Sequence, residues 1–418
     1  MNQVYARLGA MGRDGPKSAQ GSIYLDNAAT SFPKPPDVIR TMASYMIRSG
    51  ASAGRGGYRR AIGADGLLKQ VRSLLARLFN IPDPERIVFT SNVTEALNLA
   101  LRGYLRPGDR VITSSMEHHA VWRTLMSLRR ERGVEVSVIS CSARGTMDLE
   151  DALRKLDRPA RLMAITHASN VSGGIFPLDW LGRACRHRGI PLLVDSAQTA
   201  GVIPLDVVGQ SIDMLAFTGH KGLLGPMGTG GLYVREGMSL RHLKTGGTGT
   251  RSRESTQPFS FPDGYEAGTH NVPGIVGLGA ACEFHLTRDP GSIWRHKRRL
   301  VAHLLDGLSS VQGVSMYGPG DPSKMVGVVS FNLAGRRPAE VAKVLDRRFG
   351  IMLRAGYHCA PCAHRILGTQ DRGSLRASVG AFTREKEVEA LVTAMDRLSS
   401  LGRRPQMTTA GRASACEE

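Results

Sequence analysis

Residues 190–198 read Ile190-Pro191-Leu192-Leu193-Val194-Asp195-Ser196-Ala197-Gln198, and residues 214–221 read Met214-Leu215-Ala216-Phe217-Thr218-Gly219-His220-Lys221. Each is an apolar run that stops at polar residues, the pattern of an interior strand in a parallel sheet covered on both faces. Ligands of open α/β sheets bind at the carboxyl ends of such strands. Asp195 and Lys221 are therefore expected to leave the sheet into a site. Lys221 follows Asp195 by 26 positions, which is room for one crossover and one strand. A lysine there can condense with an aldehyde cofactor, and an aspartate facing a pyridine nitrogen keeps it protonated and the ring an electron sink. That pair is what a pyridoxal phosphate site needs. Taken singly, Asp195 would read as a helix cap and Lys221 as a solvated loop lysine; together, at two strand ends, they favour the site.

Outward from this pair, strand-like and helix-like runs alternate. Residues 87–90, 110–114, 162–166, 191–194, 214–217 and 231–234 read as strands with amphipathic helical stretches between several of them. This predicts an α/β chain with βαβ units and a mostly parallel sheet. At 418 residues the chain exceeds the roughly 250–300 at which one core stops growing, so two domains are expected. The expected division is a large cofactor domain over 23–276 and a smaller α+β domain over 277–401, built around a strand at 327–332. Residues 1–22 and 402–418 lack periodicity and read as an arm and a tail. No internal repeat is visible.

Composition narrows the class. No apolar run approaches the roughly 18 residues that cross a bilayer, and Met1 to Ser22 carries charges and glycines where a signal peptide would be apolar. The six cysteines, at 141, 185, 282, 359, 362 and 416, form no disulfide framework for so large a chain. A reducing, cytoplasmic setting with no membrane partner is expected. The formal charge of +19 is spread along helical stretches such as 123–132 and 295–299 without interleaved aromatics, which argues against a nucleic-acid partner.

Asp195-Ser-Ala-Gln198 and Thr218-Gly-His-Lys221, with Tyr24-Leu25-Asp26-Asn27-Ala28-Ala29-Thr30 near the start and Leu375-Arg376-Ala-Ser-Val-Gly380 near the end, resemble the cysteine desulfurase and selenocysteine lyase family. That family lies in the class V aminotransferase group of fold type I pyridoxal phosphate enzymes. The resemblance implies a seven-stranded, mostly parallel sheet in the large domain and assigns roles along the chain. Lys221 carries pyridoxal phosphate and Asp195 faces its ring nitrogen. Val93 and Thr94, in Ser91-Asn92-Val93-Thr94-Glu95-Ala96, contact the phosphate. Free N–H groups and the dipole at a helix start suit a dianion, although the same residues also read as an ordinary capping box. Thr218 and His220 resemble further phosphate contacts. Thr269 resembles the threonine that reaches the partner subunit's phosphate, which implies a homodimer; His270 beside it departs from the usual pattern. His118 resembles the histidine stacked on the ring, and Asn170 and Gln198 the residues that bond its phenolic oxygen. Asn170 and Arg376 resemble the substrate-binding pair, with the arginine fork clamping a carboxylate.

Arg354-Ala355-Gly356-Tyr357-His358-Cys359-Ala360-Pro361 resembles the catalytic cysteine loop of the second desulfurase subgroup, which makes Cys359 the nucleophile. A thiolate is soft and strongly nucleophilic, so it attacks sulfur well. The implied activity is L-cysteine desulfuration to alanine with a persulfide on Cys359, for transfer to a sulfur acceptor protein. Selenocysteine lyase activity and aminotransfer are alternatives, as is an inactive sulfur-carrier scaffold, against which Lys221, Asp195 and Arg376 together argue. Cys362 departs from the family pattern. With His358, Cys359 and His364 it reads as a zinc cluster, with Cys359 alone as a CxxC redox pair, and otherwise as a small buried residue. No metal is expected.

Overall fold

The computed structural model describes residues 22–400, apart from positions 55 and 252. Strand β1 is Ile23–Tyr24, followed by helices α1 (Pro36–Arg48) and α2 (Arg59–Phe79). Strand and helix then alternate through β2 (Ile87–Thr90), α3 (Val93–Tyr104), β3 (Arg110–Ser114), α4 (His119–Arg132), β4 (Glu135–Ile139), α5 (Leu149–Leu156), β5 (Leu162–Thr166), α6 (Leu178–His187) and β6 (Leu192–Asp195). Strands β7 (Met214–Thr218) and β8 (Gly230–Val234) close this half. The second half runs α7 (Val272–Leu286), α8 (Ser292–Ser309), β9 (Val314–Tyr317), β10 (Val328–Leu333), α9 (Pro338–Phe349), β11 (Ile351–Met352) and β12 (Arg354–Gly356). It ends with α10 (Pro361–Ile366), β13 (Ser374–Ser378) and α11 (Glu385–Ser400).

The large sheet has the order β2-β8-β7-β6-β5-β3-β4, with only β8 antiparallel to its neighbours. Its inner strands alternate between two cores because side chains alternate across a pleat. Phe89, Ile112, Ile165, Val194 and Phe217 join the core under α2, α6 and α7. Val88, Val111, Ala164, Leu193 and Ala216 join the core under α3 and α4. The result is a helix–sheet–helix stack. Its register lines up the carboxyl ends of the central strands: Thr166 pairs with Asp195, and Asp195 with Ala216.

The smaller domain is an antiparallel sheet, β12-β13-β10-β9, packed against α8, α9 and α11. Two features bear on the expected division. The 276/277 boundary falls inside α7, whose buried residues through Cys282 belong to the large core, so the helix stays with the large domain. Strand β1, expected in the large domain, pairs in parallel with β11, and Leu25 belongs to the small core. Short-range pattern carries no sign of this return, because the partners lie over 300 positions apart. The expected arm 1–22, except Ser22, and the tail 402–418 lie outside the described residues. Among the described residues no helix is long and apolar enough to cross a membrane.

Candidate active site

Asp195 is the last residue of β6 and is 3% exposed. One carboxylate oxygen accepts from the Ala197 N–H at 2.9 Å. Burial pushes its carboxyl above the usual range, while that hydrogen bond and the charge on Lys221 work against the rise. Lys221 stands three residues beyond β7. Burial pulls its ammonium down to about 8, with Asp195 opposing, and its amine bonds to no described residue. A carboxylate and an amine that tune each other across two strand ends form the centre of the cleft.

His118 caps α4, its Nδ1 accepting from the Ala120 N–H at 3.1 Å, so the ring proton of the neutral form belongs on Nε2. Burial, then the Lys221 charge, holds this imidazole at about 4. It is neutral at physiological pH. Gln198 is buried and donates to the Ala28 carbonyl at 3.2 Å.

At the start of α3, Asn92 caps by accepting from the Glu95 N–H at 3.0 Å, which leaves the Val93 and Thr94 N–H groups without an acceptor among the described residues. These are the donors a dianion takes up. Thr218 is buried at the end of β7, and its hydroxyl has only a long 3.4 Å bond to the Thr229 carbonyl. His220 Nδ1 is buried without a partner, and burial, then the Lys221 charge, holds its ring neutral with a pKa of about 4. Thr269 stands apart from this group. It is exposed and opens on a 230 Å³ cavity shared with Ser91, Glu95 and Lys244. His270 fits its loop by bonding the buried Glu266 carboxylate at 2.6 Å, which also takes Arg72 and the Phe89 N–H at 2.5 Å each.

The small domain delivers the remaining groups. Arg376, in the middle of β13, is 1% exposed and reaches back into the large domain. Nη1 donates to the Asn170 carbonyl at 3.2 Å, Nη2 to Asp26 Oδ1 at 2.6 Å, and Nε is buried with no partner among the described residues. Asn170 in turn donates from Nδ2 to the His358 carbonyl at 2.7 Å. The next carbonyl, of Cys359, accepts from the His119 N–H at 2.8 Å. The Arg376, Asn170 and Cys359 loop groups are thus joined in one run of bonds that ends beside His118. His358 and Cys359 both have left-handed backbones, φ 49° and 58°, which turn the loop sharply and leave the Cys359 side chain exposed. Non-glycine residues persist there only where surrounding contacts hold them.

Cys362 is buried in α10, its Sγ accepting from Arg365 Nη2 at 3.1 Å. His364 Nδ1 instead bonds the Thr369 hydroxyl at 2.7 Å. Among the described residues no group of three or more His, Cys, Asp or Glu converges as for a metal.

The residues fit pyridoxal phosphate. Unpartnered backbone donors at a helix start, an orphaned imidazole nitrogen and an unbonded amine beside a buried carboxylate are open polar groups that the phosphate and aldehyde of that cofactor would satisfy.

The description "Aminotransferase class-V" matches residues 23–391. A probable cysteine desulfurase of Methanothermobacter thermautotrophicus is 36% identical over 91% of this chain and 95% of its own. A cysteine desulfurase of Pectobacterium carotovorum is 33% identical over 92% and 95%. This chain belongs to the cysteine desulfurases of the class-V aminotransferase family. Its structure resembles the apo cysteine desulfurase of Thermococcus onnurineus, with a TM-score of 0.85 at 35% identity over 91% of this chain and 95% of that one. It also resembles the S-sulfonic acid form of a cysteine desulfurase from Escherichia coli, with a TM-score of 0.81 at 32% identity over 92% and 96%. Membership of the class-V family implies pyridoxal phosphate.

Two groups of this desulfurase-family site escape sequence reading. Asp26 sits in the quoted 24–30 motif, yet its tie to Arg376 spans 350 positions. Glu117, beside His118, carries no sequence signal of its own and is fully buried. One of its oxygens accepts from the Ser114 hydroxyl at 2.6 Å and the Thr166 N–H at 3.0 Å, while the other has no partner. Burial pushes its carboxyl to about 8, so it carries a proton at neutral pH.

Proposed function

We propose that the chain is a pyridoxal phosphate-dependent cysteine desulfurase that converts L-cysteine to L-alanine and leaves a persulfide on Cys359. The observation that carries this reading is the exposed Cys359, on a left-handed turn tied through Asn170 and His119 to the cleft holding Lys221, Asp195 and Arg376. When bound, the cofactor supplies an electron sink for charge developing at the substrate α-carbon. Val93, Thr94, Thr218 and His220 would hold its phosphate, with Thr269 reaching it from a second copy of the chain. With the cofactor bound, Asp195 would face the ring nitrogen, His118 would lie against the ring, and Asn170 and Gln198 would bond its hydroxyl.

The unpartnered Nε of Arg376 binds the substrate carboxylate, aided by Asn170. Lys221, with its lowered pKa, takes the proton from the α-carbon and gives it back there before alanine leaves. The Cys359 thiolate attacks the substrate sulfur: an S–S bond forms, the substrate C–S bond breaks, and its electron pair remains on the carbon, which takes up a proton to become the methyl group of alanine. An exposed Cys359 then presents the persulfide to an acceptor protein. A homodimer is part of this reading. Thr269 is exposed, and a 1350 Å³ concavity lined by Leu68, Arg72, Thr248, Gln257, Pro258 and His270 opens beside its loop with room for a partner's chain. Five described cysteines are free, which supports a reducing, cytoplasmic setting.

The test is to incubate purified protein with L-cysteine and measure alanine and sulfide together. Cys359→Ala should keep the cofactor's visible absorbance, form no persulfide and lose at least ~100-fold in turnover, about 2.7 kcal/mol of barrier. Lys221→Ala should lose both absorbance and turnover. Unchanged alanine and sulfide production by Cys359→Ala would remove it from the mechanism.

A further inference from the structure

From β3 to β4 the chain steps one way along the large sheet, and from β5 through β6 to β7 it steps the other way. The ligand crevice therefore opens between β3 and β5. These two strands pair only at Val111–Leu162 and Ile112–Met163. Beyond that point β3 follows β4 to Ser114, and β5 follows β6 to Thr166, opposite Asp195. The Glu117 side chain fills the split. It comes from the turn between β3 and α4 and is fully buried. One of its oxygens spans the gap, accepting from the Ser114 hydroxyl at 2.6 Å on one side and from the Thr166 N–H at 3.0 Å on the other. The next residue along the chain is His118.

We propose that Glu117 is a positioning residue of the cofactor site: a carboxylic acid wedged between β3 and β5 that fixes the strand end beside Asp195 and the turn that delivers His118. The role rests on the reading of the cleft as a pyridoxal phosphate site. The second oxygen of Glu117 has no partner among the described residues. The titratable groups that face it are Asp195 on β6, the Cys141 thiol beyond β4 and the neutral His118 on its own segment, and none of them is positive. An ionised Glu117 would set a second negative charge against Asp195 and drive that carboxylate towards its neutral form. Burial, by pushing the Glu117 carboxyl to about 8, keeps the wedge uncharged at neutral pH.

Three variants separate the wedge from its charge and from folding. Glu117→Gln keeps the length and the accepting oxygen, Glu117→Asp keeps the acid but falls one methylene short, and Glu117→Ala removes both. Below its melting temperature, Glu117→Gln should bind pyridoxal phosphate within about twofold of wild type and with the same absorption maximum, whereas the Asp and Ala variants should bind at least ~10-fold more weakly and with a shifted maximum. The unliganded protein gives a second reading. A carboxyl whose pKa rises on folding from 4.5 to about 8 favours the folded state at low pH and loses that advantage as the pH climbs through this range. The Tm of Glu117→Gln minus that of wild type should therefore grow by about 3 °C between pH 5 and 8 and stay level above. A pH-independent difference overturns the proposal. So do Asp and Ala variants that melt lower yet bind and absorb like wild type, or a Gln variant that binds as weakly as the Ala variant. Failure of wild type to take up pyridoxal phosphate is a separate result, which would sink the reading of the cleft and this role with it.

Discussion

A lysine ammonium ordinarily gives up its proton near pH 10.5, and the one on Lys221 does so at about 8 because burial costs the charged form more than Asp195 returns to it. Condensation with an aldehyde needs the neutral amine. Uptake of pyridoxal phosphate by the apoprotein should therefore speed up about tenfold per pH unit below 8 and level off above it. Stopped-flow absorbance across pH 6.5–10 checks this. A rate still climbing steeply above pH 9.5 would mean that the amine titrates as an ordinary solvated lysine. The neighbouring imidazoles of His118 and His220, held neutral near 4, add no charge of their own to that profile.

Among the elements, β13 has the most exacting task, because Arg376 must be both buried and charged. Asp26, just beyond β1, supplies the counter-charge at 2.6 Å, so a residue near the start of the fold sets the electrostatics of one near its end. Removing one partner of a buried pair costs more than removing both. Asp26→Ala should destabilise by roughly 3 kcal/mol, somewhat reduced because that carboxylate is partly exposed, and Asp26→Ala/Arg376→Met should cost clearly less than the two single changes added. Urea midpoints of the four proteins give the answer, and strict additivity would mean that the pair is not coupled. The contrast with what the sequence makes legible is instructive. Strands β2, β3, β5, β6, β7 and β8 are readable because both faces are covered and the runs are apolar, and the same runs locate Asp195 and Lys221. Strand β4, the seventh, is an edge strand whose Glu135 and Ser137 break the run. Lys297 is hidden in the basic stretch 295–299, although Val301, Leu304 and Leu308 at helical spacing place it on the buried side of α8. Pairings across hundreds of positions leave no local trace, which is why Asp26 and the β1–β11 ladder emerge only from the folded chain.

For the whole molecule, the exposed Thr269 loop and the concavity beside it belong to the proposed homodimer. Sedimentation should give twice the chain mass, and Thr269→Ala should leave that mass unchanged while the protein releases pyridoxal phosphate faster on dialysis. A monomer that retains cofactor and full activity would end the assignment of Thr269 to a shared site.

The two cores are also stitched into each other: Leu25 belongs to the small one, while Ala360, Ala363 and Leu367 are built into the large one. Anyone recombining this gene with a relative's therefore has no clean place to cut. A crossover after α7 alone would pair a foreign β11 with the native β1 and seat a foreign α10 in the native large core. A chimera that keeps both cores uniform must take residues 22–30, 287–359 and 368–400 from one parent and residues 360–367 with the large domain from the other.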